Sequence, residues 1–91
     1  MLQTISIIVS GKVQGVFFRQ STKEKAQELG LTGRVRNMPD ETVHILATGT
    51  KKSLDELINW SRQGPPKASV LNMVVNELPL QEFKDFRIDR S

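Results

Sequence analysis

A chain of 91 residues is long enough for one modest hydrophobic core and too short for two domains with a cleft between them. It has no cysteine and one histidine, His44, which excludes disulfide scaffolds, cysteine-based phosphatases, zinc fingers, iron–sulfur centres and any nucleophile–histidine triad not built on His44. Apolar residues at 37% and charged residues at 25% fit a globular chain, and a net charge of +3 tilts mildly toward anionic partners without the dense basic stripe of a nucleic-acid binder.

The apolar N-terminal segment has neither a charged leader nor a small-residue cleavage site, so no signal peptide is expected. No apolar run approaches the roughly 18 residues of a membrane span, and the expected address is cytoplasmic. There is no repeat, low-complexity tract or linker, so residues 1–91 read as one domain.

Residues 4–11 alternate, with Ile5, Ile7 and Val9 on one parity and Thr4, Ser6 and Ser10 on the other, which predicts a strand with one buried face. A loop, Lys12-Val13-Gln14-Gly15-Val16-Phe17-Phe18, follows and is unusually apolar for its position. Thr22, Ala26 and Leu29 at helical spacing predict a helix over residues 19–29, with Gly30 as its C-terminal cap.

Residues 31–37 alternate again, with Leu31, Gly33, Val35 and Asn37 on one face and Thr32, Arg34 and Arg36 on the other. Met38-Pro39-Asp40-Glu41 reads as a turn, and residues 42–49 as the second arm of a hairpin with Val43, Ile45 and Ala47 inward. Ser53-Leu54-Asp55-Glu56 has the pattern of a capping box opening a second helix, which Gly64-Pro65-Pro66 ends. Residues 69–77 predict a fourth strand, with Leu71, Met73 and Val75 opposite Val70, Asn72, Val74 and Asn76, and residues 83–89 a short fifth strand with Phe86 and Ile88.

The order β-α-β-β-α-β with right-handed crossovers predicts an α+β, ferredoxin-like sandwich. Its mostly antiparallel sheet would carry two helices on one face, a short fifth strand, and a second face open to water.

Fold alone does not decide function, and the loop after the first strand is the informative place. Gly11 and Gly15 flank Lys12-Val13-Gln14, and the loop runs into a helix N-terminus; backbone N–H groups there can turn inward around an anion. A cation at a helix start opposes the macrodipole by about 0.3–1 kcal/mol, and Arg19 stands at that start. A bound phosphate would reverse the sign, and guanidinium matches phosphate oxygens in a bidentate fork; without a ligand, Arg19 would point into solvent. Asn37 ends the buried parity of its strand, so its amide needs partners, which the Pro39 turn or a ligand or water could supply.

Gly11-Lys12-Val13-Gln14-Gly15-Val16-Phe17-Phe18-Arg19 resembles the acylphosphatase signature G-x-V-Q-G-V-x-F-R. The run from Gly30 to Asn37 followed by Asp40 resembles that family's second motif, and Gly64-Pro65-Pro66-Lys67-Ala68 its G-P-P-x-A segment; the likeness extends in order over residues 4–88. Three features depart from the pattern: Arg34 where many members have Trp, Glu41 where Gly usually follows Asp40, and an Arg90-Ser91 end without the usual aromatic.

The resemblance implies hydrolysis of the carboxyl–phosphate bond of acyl phosphates to a carboxylate and inorganic phosphate. Its catalytic arginine corresponds to Arg19 and its catalytic asparagine to Asn37, and its phosphate cradle to the backbone amides of Gln14, Gly15, Val16, Phe17 and Phe18. It further implies that Asn37 orients water and that the substrate's own phosphate accepts the water's proton. No metal, cofactor, nucleic acid or membrane is called for, and a monomer suffices.

Two other classes share the element order. An RNA-binding module would stack bases on its open face, where Thr4, Ser6, Ile8, Ser10, His44, Leu46 and Thr48 offer no ring except His44. A non-catalytic regulatory domain would have no use for both Arg19 and Asn37.

Overall fold

The structure is a computed structural model, and it describes residues 1–90. The elements are β1 (Leu2–Lys12), α1 (Phe18–Glu28), β2 (Thr32–Asn37), β3 (Val43–Thr50), α2 (Lys51–Gln63), β4 (Ser69–Leu78) and β5 (Phe86–Ile88). They form one five-stranded sheet in the order β4-β1-β3-β2-β5. Every pairing is antiparallel except β2 with β5, which is parallel. This is the ferredoxin-like α+β arrangement, and each predicted element is present with ends shifted by a few residues.

The alternation in β1 and β3 acts as expected. Ile7, Val9, Val43, Ile45 and Ala47 are fully buried on the face covered by the helices, joined by Val35 from β2 and Leu57 from α2. Helix α1 packs on β2 and β5, and α2 on β1, β3 and β4. The start of α1 meets the end of α2 through the rings of Phe18 and Trp60, whose centroids lie 5.6 Å apart.

Gly30 ends α1 as its position suggests. At φ 74° it lets its own N–H donate to the Gln27 carbonyl at 3.1 Å and the Leu31 N–H to that of Ala26 at 2.9 Å. These are the paired bonds that close a helix through a left-handed residue.

The start of α2 differs from the expected capping box. The cap is Thr50, whose hydroxyl accepts from the Ser53 N–H at 3.2 Å, so Ser53 lies inside the first turn. Thr50 is the last residue of β3 and already extended at φ −73° and ψ 155°, so strand passes directly into helix. Lys51 and Asp55 then support the early turn with an i,i+4 contact of 2.9 Å.

The faces of β4 also differ from simple alternation. Ser10 pairs with Asn72 and Gly11 with Val70, which leaves Leu71 as an extra residue in a bulge. Parity resets there, so Val70 and Met73 both pack against the core while Leu71 is 82% exposed.

The open face is not wholly open. Strands β4 and β5 lie at opposite edges, so the chain between them must cross the sheet on the side the helices leave free. The crossing is pinned by two threonines: the Thr4 and Thr48 hydroxyls meet at 2.6 Å, the Gln81 N–H donates to Thr4 at 2.9 Å, and Thr48 donates to the Gln81 carbonyl at 2.8 Å. Both threonines, which alternation assigns to a water-facing side, are buried.

Candidate active site

The loop between β1 and α1 is apolar because it is an anchor. Val13, Val16 and Phe18 are buried, while Gly15 and Phe17 between them are exposed. The inward side chains fix the loop to the core and leave the intervening backbone at the surface. Gly15 has φ 72°, and a Cβ there would meet open space, so glycine serves the backbone angle and not the room. Phe17 is also left-handed, at φ 63° and ψ 23°, and is the residue from which α1 starts. For a bulky side chain this conformation stores about 1–3 kcal/mol, a cost that concentrates at functional sites.

Helix α1 opens without a side-chain cap and without an acidic residue in its first turn. Its first bond runs from the Ser21 N–H to the Phe17 carbonyl at 3.0 Å, so the preceding amides at the helix start lack intrahelical partners. Those donors and the positive end of the helix dipole suit an anion.

A cleft of about 440 Å³ lies over this start. Its lining includes Gly15 and Phe17 from the loop, Phe18 and Arg19 from the start of α1 and Asn37 from the end of β2. Arg19 and Asn37, the two side chains singled out in the sequence, thus share one cavity. Among the described residues no Asp or Glu lines it, and Arg90 joins Arg19 in the lining. The Asn37 side-chain carbonyl oxygen, Oδ1, is buried and has no hydrogen-bond partner among the described residues. The Pro39 turn therefore does not satisfy it.

Two expected loop residues do not line the cleft with the others. Val16 is a buried anchor, and Gln14 turns its side chain the other way. The Gln14 amide nitrogen, Nε2, donates to the carbonyls of Met38 and Thr42, each at 2.9 Å. It thereby ties the loop to the hairpin turn that follows Asn37.

That turn is internally braced. The Met38 N–H donates to the Thr42 carbonyl at 2.9 Å, and the Asp40 carboxylate accepts from the Thr42 hydroxyl at 2.6 Å and from its N–H at 3.1 Å. These bonds, the hydroxyl's first, hold the Asp40 carboxyl below its ordinary pKa. Glu41 takes φ 71°, an angle that favours glycine.

Ile88 and Arg90 were not legible as cleft residues. They reach it because β5 runs parallel to β2, with Ile88 beside Val35 and the Asp89 N–H donating to the Val35 carbonyl at 2.9 Å. Ile88 and Arg90 therefore share the cleft with Asn37. His44 does not line the cleft; it lies in a separate hollow on the other sheet face, between Arg34 and Arg36 on one side and Ile8 on the other. No helix of the described residues is long and apolar enough to cross a membrane.

A family model described as acylphosphatase matches residues 5–88. An acylphosphatase from Marinobacter nauticus is 54% identical over 82 residues, covering 89% of each chain. One from Acaryochloris marina is 50% identical over 86 residues, covering 94% of this chain and 92% of its own. The solved structure of an acylphosphatase from Coxiella burnetii superposes with a TM-score of 0.94 at 43% identity, covering 97% of this chain and 93% of that one.

Proposed function

The chain belongs to the acylphosphatase family, and from that membership we propose how its cleft hydrolyses an acyl phosphate to a carboxylate and inorganic phosphate. Arg19 and the backbone amides of Gln14, Gly15, Val16, Phe17 and Phe18 hold the phosphoryl oxygens. Asn37 orients the water. Phosphoryl transfer asks mainly for positioning and charge stabilisation, and a guanidinium with preorganised amides supplies both.

The water donates one hydrogen bond to Asn37 Oδ1, and its oxygen faces phosphorus opposite the acyl oxygen. As the new P–O bond forms, the bond to the acyl oxygen breaks and its electron pair leaves on the carboxylate. The proton of the water passes to a phosphoryl oxygen. A carboxylate is a good leaving group, so no general acid is needed, and among the described residues no Asp, Glu or histidine lines the cleft to act as one.

The observation that carries this reading is the buried, unpartnered Asn37 Oδ1 in the same cleft as Arg19. A buried acceptor without a partner costs about 1–3 kcal/mol, which a bound water would offset. On this reading residues 1–91 form one acylphosphatase-like domain, acting as a cytoplasmic monomer without metal, cofactor or nucleic acid.

The test is a paired assay in the presence of chelator, with acetyl phosphate beside an ordinary phosphomonoester. Rapid cleavage of acetyl phosphate alone is the expected result. Equal cleavage of both, or activity only after metal is added, would overturn the reading.

A further inference from the structure

The loop and Arg19 read the phosphoryl group, but they leave open what reads the acyl part. We propose that Phe17 forms an acyl subsite, selecting acyl phosphates whose acyl group is apolar and several carbons or one ring in size. The proposal rests on the phosphoryl group sitting as described above.

Three observations converge on Phe17. It is 76% exposed, and of the exposed large apolar side chains among the described residues it alone lines the cleft. Its neighbours Val16 and Phe18 show what the loop does with apolar residues needed for folding: it buries them. Phe17 is also held left-handed at φ 63°, where glycine or asparagine would fit with less strain. An aromatic ring kept at a strained and solvated position is poorly explained by stability.

The position fits the chemistry. The cradle amides come from the same backbone, so a phosphoryl group held there projects its acyl substituent from the loop past the Phe17 ring. Ile88, half-buried in the cleft lining, offers a second apolar wall. A ring or alkyl chain between them would leave water on both sides at once. The acetyl group is too small to cover either.

The experiment compares kcat/KM for benzoyl phosphate and acetyl phosphate in the parent, Phe17→Asn, Phe17→Gly and Phe17→Leu. Asparagine and glycine suit the left-handed backbone, so these two variants remove the ring without new strain. The readout is the benzoyl-to-acetyl ratio of each variant divided by that of the parent, which cancels the intrinsic reactivity of the two substrates. The ratio should fall about tenfold in both Phe17→Asn and Phe17→Gly, and by less than about threefold in Phe17→Leu. A ratio unchanged in Phe17→Asn and Phe17→Gly overturns the proposal, as does selectivity lost instead in Arg90→Gln. A parent enzyme that hydrolyses neither substrate would refute the phosphoryl-site reading itself. One that hydrolyses both, with ratios insensitive to Phe17, would leave that reading standing and remove only the acyl subsite.

Discussion

The side-chain nitrogen of Gln14 lies 2.9 Å from the Met38 carbonyl oxygen, joining the loop between β1 and α1 to the residue directly after Asn37. A second bond of 2.9 Å to the Thr42 carbonyl spends the other amide proton on the same turn. The two proposed halves of the site, one for phosphate and one for water, are thereby held in register by one side chain.

Replacing Gln14 by Met keeps the length and removes both donors. We expect kcat to fall by about tenfold or more through misplacement of Asn37, with a stability loss of about 1–2 kcal/mol. In an Asn37→Ala background the same change should cost little further activity, because nothing is left to misplace. A double-mutant cycle on acetyl phosphate turnover, with urea unfolding of each variant, checks both points.

Asn37→Ala should act mainly on kcat. On the proposed reading the variant loses the partner of the water and keeps the guanidinium and amides assigned to phosphate, so inhibition by inorganic phosphate should change far less than turnover. Steady-state kinetics with phosphate as the inhibitor separate the two.

Glu41 departs from the glycine usual at its position yet keeps a left-handed angle, φ 71°. Glu41→Gly should relieve the steric cost, and after allowing for the freer unfolded chain the net gain is about 1 kcal/mol. For a domain of this size that is a rise in Tm of about 4–8 °C, read by thermal unfolding.

Asp40 gives the turn a pH dependence. Its carboxyl is lowered below 3.8 by hydrogen bonds from Thr42, so the carboxylate's contribution is present above that value and is lost as pH falls through the folded-state pKa. The stability difference between the parent and Asp40→Ala should be level from about pH 5 to 7 and shrink on acidification below about pH 4. Denaturant unfolding over that range tests it, and a difference that grew on acidification would contradict the assignment.

The fold was largely readable because β1, β2 and β3 each show one apolar parity and the helix ends carry Gly30 and Gly64. What the residue pattern hid were tertiary effects. The bulge at Leu71 comes from pairing with β1, and the burial of Thr4 and Thr48 from the crossing of the chain after β4. Thr50 displaced Ser53 as helix cap because strand and helix abut, which two residues with hydroxyl groups three positions apart do not reveal. In the site, Arg19 and Asn37 could be picked out as a cation against a dipole and an amide on a buried parity. Ile88 and Arg90 could not, since they join the cleft only through the parallel pairing of β5 with β2.

The central claim is that Arg19 and the loop amides bind the phosphoryl group together, and acetyl phosphate hydrolysis by a folded Arg19→Ala variant tests it most directly. Turnover should fall below detection, with inhibition by inorganic phosphate weakened in parallel, because the guanidinium stabilises charge in both the bound and reacting states. Hydrolysis by Arg19→Ala at the parent's rate would contradict the account.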